Sequence, residues 1–585
     1  MNKKTTKGIA ILALSTGVLF GSLPNASYSS IVKAQTTDRI EQVLSNLTPA
    51  QRQAIKQLKT SDQGGLQLSP EVDQKSDAEI SVIVEFKDKP QKTAMLEAEA
   101  EGKSLSADQA KAKADAAHDM FQNDLQTIFK NELKEKKNPY TIKQSFKHAF
   151  NGVTLTLPAN KVKALLKSTS VKTVWSDMQV QVEPPVNEES QEQADSHTMV
   201  TFPGIEKLHE EGYTGKGVKV GILDTGIDYN HPDLKDAFKG GYDFVDNDKD
   251  PMETTYDDWK NSGKAEKMGG GTYYTEHGTH VAGIIAGQGK NTSTDTPVEG
   301  VAPDADIYSY RVLGPYGNGS TSAILAGIDK AVADGMDVIN MSLGANYNDP
   351  LYVTSIAVNN AVLAGVTMVV SAGNSGDSMY TLGSPGTSPL AITVGASDTS
   401  VTIPTFTGTA HASTGDVTVD LKLAAQGPSD KIADFQSQTL KMVNVGFGGE
   451  PNYWMGAAGT STPIDVNGKV VLAQRGSFSI AEINARAKSK GAKAVVLYNT
   501  STDPVGEVFL GDVFGYMPTF LLSYSQGAAI TAKLPVSGPL KGTSLDFTFG
   551  NMSQIVTEGD KLASFSSRGP SRILYDIKPE VTAPG

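Results

Sequence analysis

The sequence predicts an α/β protein: a doubly wound parallel sheet over residues 201–399 and 561–585, with an α+β unit before it and a mostly-β insert within it. Three observations carry that expectation. Short apolar runs such as GVKVGIL (217–223), VTMVVSAGN (366–374) and LAITVGAS (390–397) lack polar alternation, as strands do when both faces of their sheet are covered. Helix-spaced segments fall between them in a βαβ rhythm. That rhythm stops near residue 400, where Gly-, Thr- and Ser-rich stretches begin, and core-like sequence resumes at KLASFSSRGP (561–570).

Taken in order, residues 1–34 read as a signal peptide. Lys3, Lys4 and Lys7 precede an apolar stretch, 8–23, too short for a comfortable span, with cleavage expected after Ala26 or Ala34. The mature protein is therefore expected outside the cell, with no membrane partner once the signal is removed. Residues 35–78 are polar and spaced like a helix in DRIEQVLSNLTPAQRQAIKQLKT. Residues 79–183 read as strand (79–86), long helix (106–136, with Met120, Leu125, Ile128 and Leu133 near helical spacing), hairpin (141–158, turning at Asn151-Gly152), helix (159–170) and strand (171–183). That β-α-β-β-α-β order is the ferredoxin-like split unit. Residues 184–200, PPVNEESQEQADSHTMV, are an acidic linker, exposed and cleavable.

From 201 onward, strands are expected at 217–223, 305–313, 336–344, 366–374 and 390–397, and helices at 279–287, 321–335 and 352–365. Residues 400–560 are the insert, with one strand-helix-strand piece in GKVVLAQRGSFSIAEINARAKSKGAKAVVLYNT. Composition narrows the function. A net charge of −13 without a long basic run argues against nucleic acid as a partner. With no cysteine, disulfides, thiolate metal sites and a cysteine nucleophile are all excluded.

Three side chains stand where chemistry is expected. Asp224, in GILDTGID, ends the first apolar strand, at the edge where such sheets bind ligands. An Asp there could also simply cap a turn. Its Asp-Thr-Gly tripeptide matches the aspartic-protease signature too, but that chemistry needs two carboxylates and the chain has one such tripeptide. His277, in EHGTHVAGIIAG, opens a small-residue helix and suits a general base; His280 fits a core histidine better, and the zinc-peptidase spacing is absent. Asn374, in VVSAGNSGD, is either a turn residue or an amide donor to an oxyanion.

Strand-end Asp, helix-start His and strand-end Asn, in that order, resemble the subtilisin-like serine proteases, the subtilases. VGILDTGIDYNHPDL, HGTHVAGIIAG, GVAPDADIYSYRVL, NMSLG, VSAGNSGD, GSPGTSPLAITVGAS, FSSRGP and KPEVTAPG all look like segments of that family, in its order. The resemblance implies that Asp224 orients the imidazolium, His277 is base then acid, and Asn374 donates to the oxyanion. It implies that Ser342, Leu343 and Gly344 line the specificity pocket. Leu313, Gly314 and Gly317 would form the opposite rim, holding an extended polypeptide substrate as an added strand. Residues 79–183 would be an inhibitory propeptide that also assists folding. Residues 400–560 resemble a protease-associated domain. A Gram-positive source and association with the cell wall are further expectations of the resemblance.

The family's serine is expected last, opening a helix. Three Gly-Thr-Ser tripeptides occur, at Ser388, Ser461 and Ser544, each followed by strand-like or turn sequence, so none is expected to serve. The serine is accordingly expected beyond Gly585, which would make this chain an inactive piece of a precursor. A non-catalytic protein that binds peptides or surface ligands is the alternative. No cofactor is expected for catalysis. Asp243, Asp246, Asp248 and Asp250 allow structural calcium, though a solvated acidic turn fits them better, and the EF-hand framework is lacking. No acid is placed near the pocket to demand a basic side chain, so a broad or apolar preference is expected.

Overall fold

The computed structural model describes residues 67–584 apart from 101, 136–137, 183–203, 269–270, 292–298, 399, 428, 448–462, 476–479, 499–508, 513–514 and 535–542. The expected signal peptide, the polar helix at 38–60 and the linker 184–200 lie outside the described residues.

The N-terminal unit has four antiparallel strands, β1 (Glu79–Phe86), β2 (Thr141–Phe146), β3 (Gly152–Pro158) and β4 (Val171–Ser176), arranged β2-β3-β1-β4. A short further strand, β5 (Gln179–Gln181), leaves this sheet. Helix α1 (Gln91–Ala100), which the sequence reading lacks, precedes α2 (Ala107–Ile128). Ser106 starts α2 with a capping box: its hydroxyl accepts from the Gln109 amide, and the Gln109 side chain accepts from the Ser106 amide. The buried stripe of α2 is Ala110, Ala114, Ala117, His118, Phe121 and Leu125. Met120, expected inside, is exposed because it sits one position off that stripe.

The expected turn at Asn151-Gly152 is displaced. Phe146 pairs with Gly152, so residues 147–151 form the loop and Gly152 is the first residue of β3. Gly152 is required there by close packing: a Cβ would stand 2.0 Å from the Val84 carbonyl oxygen. The loop amides are held from outside the unit. Asp329 accepts from the backbone N–H of Lys147, His148, Ala149 and Phe150 at 2.7–3.3 Å.

In the main unit, a fully parallel sheet contains β6 (Lys219–Asp224), β7 (Phe238–Asp243), β8 (Asp306–Arg311), β10 (Val338–Met341), β11 (Thr367–Ser371), β12 (Ile392–Ser397) and β13 (Val581–Pro584). A separate short strand, β9 (Asn318–Ser320), lies outside it. The order is β13-β12-β11-β10-β6-β8-β7. Helices α3 (His277–Ala286), α4 (Thr321–Asp334) and α5 (Val353–Leu363) connect strands. The chain reverses around β6, which has β8 on one side and β10 on the other. The carboxyl end of β6 therefore opens on the crevice where doubly wound sheets carry their sites.

The insert spans strands from Thr402 to Val556 and closes on itself, because strand Thr402–His411 pairs with both Val417–Gln426 and Ser544–Val556. One core is aromatic, with Phe406, Phe520, Phe547 and Phe549; the other is aliphatic, with Val443, Val471, Ile483 and Val495. Its ends meet at a narrow neck, where the Thr557 amide donates to the Val401 carbonyl and the Val401 amide to Thr557 Oγ1, both at 2.9 Å.

Candidate active site

Asp224 is the last residue of β6 and is almost fully buried. Its Oδ1 accepts from the Thr225 amide at 2.7 Å and from His277 Nδ1 at 2.7 Å. His277 is the first residue of α3. Two glycines allow this approach. Gly226 turns the chain out of β6 with φ of +121°, and a Cβ at Gly278 would lie 2.1 Å from the Gly226 carbonyl oxygen. Burial works to lower the basicity of His277, but the Asp224 charge and hydrogen bond, with the charge of Glu253, outweigh it and raise the pKa above the usual imidazole value. The hydrogen bond leaves Nε2 as the nitrogen available to a substrate or nucleophile.

His277 faces a cavity lined by Ser342, Leu343, Gly344 and Ala345 after β10, by Ser371, Ala372, Gly373 and Asn374 at the end of β11, and by Gly383 and Ser384. No acidic or basic side chain other than His277 is in that lining. Asn374 and the predicted pocket residues Ser342, Leu343 and Gly344 thus share one wall system with His277. His280 is exposed, not the core histidine expected, because it lies on the outward face of α3.

The cleft holds an extended strand from the N-terminal unit. β5 pairs antiparallel with β9, matching Gln181 to Asn318, Val180 to Gly319 and Gln179 to Ser320. On its other side, Gln181 bridges Gly344. The Val182 amide donates to the Gly317 carbonyl at 2.9 Å, and Val182 lies at the cavity beside His277. An extended segment is therefore sandwiched between two backbone rims and reaches the cavity that the imidazole lines.

The rim differs in detail from the expected Leu313, Gly314 and Gly317. Gly317 contacts the strand, but Leu313 is fully buried and bridges Gly319, and the Gly314 amide donates to the Asn318 carbonyl at 2.7 Å. Leu313 and Gly314 form the inner layer of a small hairpin whose outer strand is β9. The signal for β9 was NGS after a Pro-Tyr-Gly turn, and Gly319 is sterically obliged, since a Cβ there would be 2.4 Å from the Val312 carbonyl oxygen.

Of the three rejected serines, Ser388 is fully buried and donates to Asn359 Oδ1 at 2.5 Å, and Ser544 begins a strand of the insert. Ser461 lies outside the described residues. Among the described residues, the only side-chain partner of the His277 ring is Asp224. In the acidic turn, Asp243 and Asp246 close on the guanidinium of buried Arg311, at 2.5 and 2.7 Å. Arg311 was not anticipated from sequence; it neutralises carboxylates that the spacing alone offered to a cation.

A parallel sheet with this Asp–His pair at its carboxyl edge, and a cleft beside it that holds an extended strand, agrees with the family matches. Residues 215–585 match the subtilase family, and residues 81–183 match peptidase inhibitor I9. The chain belongs to the subtilase family. It is 35% identical over 522 residues to the minor extracellular protease Vpr of Bacillus subtilis (strain 168), which covers 88% of this chain and 57% of that protein. Over 261 residues it is 35% identical to subtilisin E of the same strain, covering 44% of this chain and 59% of that relative. It is also 28% identical over 498 residues to the PIII-type proteinase of Lactococcus lactis subsp. cremoris (strain SK11), covering 77% of this chain and 24% of that protein. The chain thus spans well under two thirds of the length of these relatives.

Proposed function

We propose that this chain is part of the precursor of a secreted serine endopeptidase, held inactive by its own N-terminal unit. The observation that carries this reading is the strand 179–182, laid between two backbone rims and reaching a cavity lined by an imidazole that is hydrogen-bonded to a buried carboxylate. In the proposed mechanism His277 Nε2 takes the proton of a serine hydroxyl supplied from outside the described residues. The oxygen attacks the carbonyl carbon of a peptide lying where β5 lies. Asn374 donates to the oxyanion, and Asp224 stabilises the imidazolium. His277 then passes its proton to the leaving amine, and water attacks the acyl-enzyme by the reverse route. No cofactor enters these steps.

Ser342, Leu343 and Gly344 are the proposed specificity wall, and the uncharged cavity favours apolar or small side chains. The proposed substrates are extended polypeptides outside the cell. The I9 domain is the proposed propeptide, released by cleavage within 184–200. Similarity to an extracellular relative supports export, and no helix among the described residues is long and apolar enough to cross a membrane. We read the insert as a protease-associated domain.

The test is active-site labelling of the full gene product with a serine-directed phosphonate, alongside casein hydrolysis. Both are expected, and His277→Ala should abolish hydrolysis by a factor on the order of 10⁶, the size recorded for subtilisin. Labelling at Ser388, Ser461 or Ser544 would overturn the assignment.

A further inference from the structure

Glu253 lies in the loop after the acidic turn, far in sequence from Asp224 and His277, and is only 5% exposed. An isolated buried carboxylate is costly, so its partners indicate what it does. It accepts four hydrogen bonds and none comes from a cation. Thr275 Oγ1 donates to Oε2 at 2.6 Å. Thr225 Oγ1, Thr279 Oγ1 and the Thr279 amide donate to Oε1 at 3.1, 3.1 and 2.9 Å. Thr225 directly follows Asp224, and its hydroxyl also accepts from the Gly278 amide at 2.9 Å. The carboxylate therefore ties the end of β6 to the first turn of α3, the two elements that bear the Asp224–His277 pair.

The cap of α3 strengthens the point. Glu276 occupies the N-cap position but makes no side-chain capping bond. Glu253 reaches the orphan Thr279 amide instead, doing from a remote loop what a local N-cap usually does. A negative charge at that position also suits the positive end of the helix.

We propose that Glu253 is a positioning residue for the His277 base: it caps the His277 helix from a distant loop and places a second negative charge behind Asp224. It touches neither substrate nor reacting atoms. Among the titratable groups around it, Asp224 acts on its carboxyl, and its own charge acts on His277. Arg311 approaches only indirectly, through Thr254 Oγ1 at 2.7 Å and the Thr225 carbonyl at 3.2 Å, with its own charge engaged by Asp243 and Asp246. Burial pushes the Glu253 carboxyl up, as does the Asp224 charge, against the hydrogen bonds from the Thr275 and Thr225 hydroxyls and the Thr279 amide. His277 in turn is raised in part by the charge of Glu253.

The consequence for rate rests on the proposed function, but the test does not. In the 585-residue chain, the His277 imidazole can be titrated by NMR with labelled histidine, whether or not any peptide is cut. Glu253→Gln keeps the shape and removes the charge, so His277 should bind its proton several-fold more weakly than in the parent. Glu253→Asp keeps the charge, so His277 should titrate near the parent value even where Tm falls. A purely structural role would lower Tm in both variants and leave the titration unmoved, and that result would overturn the proposal. Should Glu253→Gln fail to fold, Glu253→Asp decides alone: a folded variant whose His277 titrates at the ordinary imidazole value would also overturn it.

Discussion

Phe150 and Phe547 are both fully buried phenylalanines in small α/β or β-rich units attached to one parallel-sheet core, yet they bury against different partners. Phe150, with Ile83, Phe146, Ala149 and Val180 of the N-terminal unit, belongs to the same hydrophobic cluster as Leu325, Ile328, Val358 and Ala361 of the main unit. Among the described residues, Phe547 clusters with residues of the insert alone, among them Phe406, Phe520 and Phe549. The N-terminal unit is joined by buried polar contacts as well. Asp329 holds its 147–150 loop, Asn360 donates to the Ala149 carbonyl at 2.8 Å, and Asp177 accepts from the Ser322 amide at 2.9 Å. The insert has its own cores and joins its host through a narrow neck of hydrogen bonds between residues 400–401 and 557. A unit that shares its core is coupled to the folding of its host; a unit with a private core can be added or removed with little effect on it. The first suits the propeptide role proposed above, and the second suits a module with a separate task.

The sharpest way to break this comparison is to cut the same side chain from both sides of it. Phe150→Ala and Phe547→Ala should each cost about 3–5 kcal/mol locally. Hydrogen exchange should show the Phe150 change loosening β3 and α5 together, while the Phe547 change stays within 402–556. Spread of the Phe547 effect into β6 or β11 would erase the distinction. A smaller effect is expected from Asp329→Ala, which strands four backbone N–H groups. It should weaken docking of the N-terminal unit by about 2–3 kcal/mol, read as faster exchange and proteolysis at 147–158. Replacing 402–556 by a short Gly-Ser link between Val401 and Thr557 should change the stability of the main sheet by less than about 1 kcal/mol in denaturant unfolding.

The smallest effect is a pH dependence. The folded-state pKa of His277 is raised, so the folded chain binds this proton more tightly than the unfolded chain. The resulting stability is fully present below the unfolded value, about 6.5, and is lost as pH rises through the folded value. Tm of the parent measured against that of His277→Ala should show this loss on the alkaline side. The difference should be modest, because 36% of the His277 side chain is open to the cleft.

Much of the site was legible because it depends on local signals. Asp224 ends an apolar run, His277 opens a small-residue helix with Gly278 behind it, and Asn374 follows another apolar run, all at short range. The misplaced features share a different cause. The Asn151-Gly152 turn gave way to Val84 and Asp329, which are remote in sequence. The rim moved from Leu313 and Gly314 to β9 because the segment folds back on itself. Met120 lost its place in the core to Phe121 by a single position on the helix, which spacing alone does not settle when both neighbours are apolar.

Periodicity, apolar runs and the glycines that let backbones approach are properties of neighbouring residues, and from them the sequence by itself determined the parallel sheet and set Asp224 at a strand end and His277 at a helix start; the pairing of the two was implied only by the resemblance to the subtilases, and the reversal at β6 came from the structure. Only the tertiary structure decided which carboxylates serve which partners: Asp243 and Asp246 went to Arg311, Asp329 to the N-terminal loop, and Glu253 to the base of the His277 helix. The physical reason is that a buried charge is tolerable only beside donors that face it in space, and nothing in the spacing along the chain encodes which distant donors those will be.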